Sequence, residues 1–113
     1  MVQPDSGGQP ILSEFANEPD MAELVNSFVS ELPEKVQAVR AAYESRDLAT
    51  LAMLAHRLKG AAGGYGFPMV TDAAAALESS VKAGPDPAAL REQVEALIDL
   101  CARARACPVD GDA

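Results

Sequence analysis

Residues 47–66 read DLATLAMLAHRLKGAAGGYG, and this stretch predicts one helix with two different faces. Asp47 is a favourable N-cap residue, and the glycines that follow Ala62 predict that the helix ends near Gly64. The larger apolar residues recur at helical spacing, which predicts that they face a core. These residues are Leu51, Leu54, Leu58, Ala61 and Ala62.

The only histidine of the chain, His56, lies on the opposite face of this predicted helix. At about 100° per residue, small residues and one lysine fall within roughly 60° of it. They are Ala49, Ala52, Met53, Lys59, Gly60 and Gly63. The sequence has no Asp or Glu between Leu48 and Thr71, so this face is locally basic in an acidic chain. A histidine outside the apolar arc is predicted to be functional rather than part of the core.

An exposed imidazole can act as a nucleophile near neutral pH, because its reference pKa is about 6.5. Attack on a phosphoryl group would give a phosphohistidine, and Lys59, one turn away, would pair with the new charge. Glycine inside a helix costs about 1 kcal/mol of stability relative to alanine. Helix stability therefore does not explain why residue 60 is a glycine. Without a Cβ, Gly60 would give an approaching partner clearance beside His56.

Other kinds of site are excluded by what the sequence lacks. It has no second histidine for a metal cluster, and no glycine-rich loop that ends in Gly-Lys-Ser/Thr for a nucleotide. No carboxylate lies near His56 in sequence to hold Mg²⁺ or act as a base, although another helix could supply one. Phosphoryl transfer usually needs a metal, so Mg²⁺ is expected from a partner. The chain is therefore predicted to be a phosphoryl carrier without its own cofactor, and a metal or haem site built from His56 with Met53 or Met69 is a poor alternative.

The 113 residues predict a single domain, and their alanine, leucine and glutamate content favours helices. We predict an all-α fold, an antiparallel up-down four-helix bundle with a short extra N-terminal helix. The predicted helices are a short turn at 11–16, a helix from the Asn17 cap through Pro33 to about 45, and helices at 48–64, 67–82 and 87–106.

The ends of the chain, residues 1–10 and 108–113, are predicted to be disordered tails around a bundle of residues 11–107. The formal net charge of −8 argues against binding to nucleic acid or to anionic membranes. No apolar run approaches the roughly 20 residues of a membrane span, and no signal peptide is evident. We therefore expect a cytoplasmic monomer in which Cys101 and Cys107 are free thiols.

The segment Ala55-His56-Arg57-Leu58-Lys59-Gly60, with Gly66 ten residues after His56, resembles the histidine phosphotransfer (HPt) domain family. The resemblance extends to Phe28, Leu32-Pro33, Asp47 and Ala76-Leu77-Glu78, and Gly64–Phe67 is similar to the N-terminal domain of chemotaxis histidine kinases. The resemblance to the HPt family implies a phosphoryl group on His56 Nε2 that exchanges with the aspartate of a receiver domain. The dimerising domain of sensor kinases is rejected, because Arg57 stands where an acidic residue is typical there.

The resemblance also implies a docking surface for a response-regulator receiver domain or a hybrid histidine kinase. The partner would lie over the His56 helix and the start of the preceding helix. The residues expected to contact it are Ala52, Met53, Arg57, Gly63, Phe28, Ile11, Leu12 and Phe15. An alternative function remains open, in which the domain is a non-catalytic helical adaptor that binds a receiver or kinase domain without accepting phosphate.

Overall fold

The computed structural model describes residues 9–84 and 86–106, and four α-helices make up most of them. The helices are α1 (Ala22–Glu44), α2 (Leu48–Gly64), α3 (Pro68–Lys82) and α4 (Pro87–Arg103). Each helix packs against the next along the chain, and α1 also packs against α4. The predicted helical class is confirmed. The predicted tails lie outside the described residues except for Gln9 and Pro10, and so does Cys107.

The predicted N-terminal helix over residues 11–16 is wrong. Ile11–Leu12 form a short strand, β1, which pairs in parallel with β2 (Ala104–Arg105). The next two backbone N–H groups also bind other elements: Ser13 N donates to Arg105 O at 3.2 Å and Glu14 N donates to Gly66 O at 2.8 Å. A helix of six residues has few internal hydrogen bonds, so these tertiary bonds decide the conformation.

The predicted helix starts are partly confirmed. The Asp47 carboxylate accepts a hydrogen bond from Thr50 N at 3.2 Å, and Asp86 accepts one from Ala89 N at 3.1 Å. The start of α1 differs, because Pro19–Met21 form a 3-10 turn and the α-helix begins only at Ala22.

Beyond its start, the helix α1 follows its prediction, and the last helix, α4, is shorter than predicted. The helix α1 continues past Pro33 to Glu44, as predicted. The last helix ends at Arg103, three residues earlier than predicted, because the chain becomes extended at Ala104 to form β2.

A single apolar core lies between the four helices. In it, Phe28 of α1 stacks on Tyr65 with ring centroids 4.9 Å apart and lies 5.9 Å from the Phe67 ring. Small residues are also part of this core, and Ala55 of α2 and Ala74 of α3 are fully buried in it. The other large buried residues are Val25, Leu32, Val39, Leu51, Leu58, Val70, Leu77, Leu90, Val94 and Leu97.

No helix within residues 9–84 and 86–106 is both long and apolar enough to cross a membrane. Cys101 lies buried in α4 as a free thiol, and its burial raises the pKa of that thiol to about 12.

Candidate functional site

The helix α2 presents His56 to solvent, as the apolar period predicts. Its side chain is 63 % exposed, whereas Ala55 is fully buried and Leu58 is 3 % exposed. Lys59 follows one turn later with a partly exposed side chain. The histidine and the lysine therefore lie on the outer face of α2, at the edge that faces α3.

The helix α3 supplies a carboxylate that the sequence around His56 lacks. Glu78 is only 6 % exposed, and its Oε2 atom lies 3.0 Å from His56 Nδ1. Its Oε1 atom accepts a hydrogen bond from Lys59 Nζ at 2.9 Å. Lys82, one turn along α3, donates to Oε2 at 2.8 Å. One buried carboxylate thus binds an imidazole and two ammonium groups.

The two lysines keep Glu78 ionised. Hydrogen bonds from Lys82 and Lys59 lower the pKa of this carboxyl to about 2, although its burial acts in the opposite direction. An ionised carboxylate can only accept hydrogen bonds, so the proton in the bond to His56 must sit on Nδ1. In the neutral ring the other nitrogen, Nε2, then carries the lone pair.

Contacts between α2 and α3 fix the position of this cluster. The Thr71 hydroxyl of α3 donates to the Lys59 carbonyl of α2 at 3.1 Å. A Cβ at Gly63 would lie 3.4 Å from the same Thr71 hydroxyl oxygen, so glycine suits the close approach of the two helices there. The three-residue connection 65–67 returns the chain from α2 to α3, and this brings Glu78 back beside His56.

Gly60 has open space around it. Within residues 9–84 and 86–106, a Cβ built at this position would meet no atom within 4 Å outside its own helix turn and chain neighbours. The glycine is therefore not required by packing within the described part of the chain. That Gly60 gives clearance to an approaching partner stays a prediction.

The residues expected to dock a partner fall into three groups. Met53 and Arg57 are exposed beside His56, Gly63 is exposed one turn beyond Lys59, and Ala52 is partly exposed. Ala52 and Met53 line a shallow depression together with His56, Glu78 and Lys82. These positions remain candidates for partner contact.

Phe28 is different, and its assignment to the docking surface is wrong. It is 3 % exposed and lies inside the core against Tyr65 and Phe67. A large aromatic ring in the apolar stripe of α1 is buried because this removes its surface from water. Phe28 therefore belongs to the family pattern because it packs in the core.

The third group, Ile11, Leu12 and Phe15, is not brought to His56. These residues lie with the N-terminal segment, which contacts the connection at Gly66. Gly66 is ten residues after His56, about 15 Å along a helix. Ile11 and Phe15 pack partly against the core, and Leu12 is 42 % exposed. A partner would have to cover the C-terminal half of α2 to reach both places.

Reasoning from residue spacing did not find Glu78 or Lys82 as members of the site. One signal was present: Glu78 follows Ala74 by four residues and precedes Val81 by three, so it lies in the apolar stripe of α3. An acidic residue on a core-facing stripe needs a partner, because an unpaired buried charge is costly. The basic face of α2 was the nearest source of such a partner.

The Hpt domain family model matches residues 23–107, which include all four helices apart from the first residue of α1. Comparisons with curated proteins and with solved structures gave no match.

Proposed function

The chain belongs to the Hpt domain family, the phosphotransfer domains of phosphorelays, and we propose that it carries a phosphoryl group on His56. The group would be exchanged with the aspartate of a response-regulator receiver domain. The observation that carries this proposal is the bond of 3.0 Å between His56 Nδ1 and buried Glu78 on an otherwise exposed ring.

The proposed reaction uses Nε2 of His56 as the nucleophile. Its lone pair forms the N–P bond while the bond between phosphorus and the aspartyl oxygen breaks, and that oxygen keeps the electron pair as a carboxylate. The imidazole gains positive charge as the N–P bond forms, with the proton still on Nδ1. Glu78 would stabilise this charge through its hydrogen bond to Nδ1, much as the buried aspartate of a serine protease does for its histidine. The reverse sequence returns the group.

Lys59 and Gly60 have supporting roles in this proposal. The ammonium of Lys59 lies on the same helix face as His56, one turn away, and would pair with the negative charge of the bound phosphoryl group. Gly60 adds no side chain in the open space beside Lys59, so it would let the receiver approach closely.

Hpt domains work as carriers between other proteins, and the partner in this proposal supplies the rest of the chemistry. The receiver domain or a hybrid histidine kinase would dock over the exposed part of α2 around Met53 and Arg57. Mg²⁺ would come with the receiver and would neutralise charge on the phosphoryl oxygens during transfer. His56 would provide only the accepting nitrogen.

We also infer an antiparallel up-down arrangement of the four helices. The connections 45–47 and 65–67 have three residues each, which favours neighbouring helices that reverse direction. The packing of α4 against α1 would then close the four helices around one core.

Transfer from a radiolabelled, phosphorylated receiver domain in the presence of Mg²⁺ tests the proposal. The expected result is an acid-labile phosphate on the wild-type chain and none on the His56→Gln variant. Lys35→Met is a matched control, because Lys35 pairs with Glu31 on α1, with 3.9 Å between Nζ and Oε1. Absence of label across a broad set of receivers and kinases, including those of the same genome, would refute the carrier function.

The same variant separates the carrier from the alternative adaptor. An adaptor that binds a receiver without accepting phosphate should keep its biological output when His56 is replaced by glutamine. A carrier should lose that output although the variant still binds the receiver. Calorimetry should show that the variant still binds the receiver in both cases, so the output measured in cells separates the two functions.

A further inference from the structure

We propose that Lys82 is a positioning residue that sets how strongly Glu78 holds the His56 ring, and thereby the pH at which the ring becomes a nucleophile. The proposal rests on the proposed function of His56. Lys82 is the last residue of α3, and its side chain is 66 % exposed.

The two lysines bind different oxygens of Glu78. Lys59 Nζ lies 2.9 Å from Oε1, whereas Lys82 Nζ lies 2.8 Å from Oε2. Oε2 is also the atom that lies 3.0 Å from His56 Nδ1. Lys82 therefore shares one acceptor atom with the imidazole, and Lys59 does not.

Charged groups near His56 come from the two helices involved in the cluster. From α2 these are Lys59 and, next to His56 in sequence, Arg57; from α3 they are Glu78 and Lys82. The helix α1 also packs against α2, but its charged residues Glu34 and Lys35 line a separate groove together with Arg57. No residue of α1 lines the depression that contains His56 and Lys82.

Sharing Oε2 has a predictable effect on the ring. The ammonium of Lys82 withdraws negative charge from the oxygen that binds Nδ1, and it also opposes a second positive charge nearby. Without Lys82, Glu78 would stabilise the imidazolium more strongly, so the ring would keep its second proton to a higher pH. Because Lys82 is well exposed and screened by solvent, the shift should be about half a pH unit.

Nuclear magnetic resonance can measure this effect directly, because His56 is the only histidine in the chain. The ring nitrogen and carbon signals of labelled protein would be followed against pH without any partner. Lys82→Met should move the midpoint of the His56 titration upward by about half a pH unit. Lys82→Arg should restore the wild-type midpoint, since it keeps a charged donor.

Two further variants show whether the effect depends on Oε2. Lys59→Met should move the midpoint less than Lys82→Met, because Lys59 binds the other oxygen. Lys35→Met, which disrupts a comparable i,i+4 pair with Glu31, should leave it unchanged. Equal shifts in Lys59→Met and Lys82→Met, or no shift in Lys82→Met, would overturn the proposal. The same spectra report whether each variant is folded.

The pH profile of phosphoryl acceptance distinguishes a failure of this inference from a failure of the proposed function. If the wild-type chain accepts phosphate, the acid limb of the Lys82→Met profile should move upward with the midpoint. If the chain accepts none while Lys82→Met still shifts the titration, the carrier function fails and the role of Lys82 stands. If it accepts phosphate and Lys82→Met shifts neither measurement, the role of Lys82 fails alone.

Discussion

Replacing Gly66 with alanine should separate the N-terminal segment from the connection between α2 and α3. Gly66 has a φ of +85°, a conformation that residues with a Cβ rarely adopt. A Cβ at this position would lie 2.6 Å from the Ser13 hydroxyl oxygen and 2.8 Å from Glu14 N. Both distances are shorter than real Cβ contacts, and both partners are held by hydrogen bonds to the same connection, so the segment has to move.

The expected loss has two parts. Forcing alanine into the left-handed region costs about 1–2 kcal/mol. Moving the segment also weakens two hydrogen bonds, Glu14 N to Gly66 O at 2.8 Å and the Ser13 hydroxyl to Tyr65 O at 2.7 Å. At about 0.5–1.5 kcal/mol for each hydrogen bond, the total becomes roughly 2–5 kcal/mol. For a domain of this size that lowers Tm by roughly 10–25 °C.

Gly84→Ala is the matched control for this prediction. Gly84 has the same φ of +85°, but among the residues that the structure describes a Cβ there would meet nothing within 4 Å. It should cost only the backbone contribution of about 1–2 kcal/mol. Urea denaturation followed by circular dichroism would compare the two variants, and hydrogen exchange should be faster at the amides of Ser13 and Glu14 only in Gly66→Ala. Equal destabilisation by both substitutions would refute the close contact with the N-terminal segment.

Two further predictions concern the site itself. Gly60→Ala should stabilise α2 by about 1 kcal/mol in chemical denaturation, because the space beside Gly60 is open and alanine favours helix, yet it should slow phosphoryl transfer from the receiver. An unchanged transfer rate would contradict its role as clearance. The depressed pKa of Glu78, about 2 against an ordinary 4.5, means that its stabilising contribution is present above pH 4.5 and is lost as pH falls towards 2. The stability of Glu78→Gln should therefore depend less on pH across this window, and parallel wild-type and variant curves would argue against the ionised cluster.

The outer face of α2 could be predicted because helical periodicity depends only on neighbours along the chain. His56, Lys59 and Gly60 are separated by at most four residues, so their relative positions follow from one helix. Phe28 recurs at helical spacing with Val25 and Leu32, and the structure buries all three. Phe28 was expected at the docking surface because of the family resemblance and not because of helical periodicity. That assignment was wrong.

Glu78 could not be placed in the same way, because it lies 22 residues from His56 on another helix. The contact depends on how α3 is rotated and shifted against α2, and this is set by contacts between the two helices such as the hydrogen bond from Thr71 to Lys59 O. The segment 11–16 was misread for a related reason. Ile11, Leu12 and Phe15 are compatible with a helical turn, but the bonds to Arg105 and Gly66 come from distant parts of the chain.

The pairing of β1 with β2 also determines how the domain would behave inside a longer polypeptide. Ile11 lies beside Ala104 across a parallel ladder, where neighbouring strands are about 4.8 Å apart. Segments joined before Ile11 and after Arg105 would therefore leave from adjacent points. A domain inserted between two such segments would form a side branch of the longer polypeptide. It would carry His56 without increasing the distance between the two flanking segments.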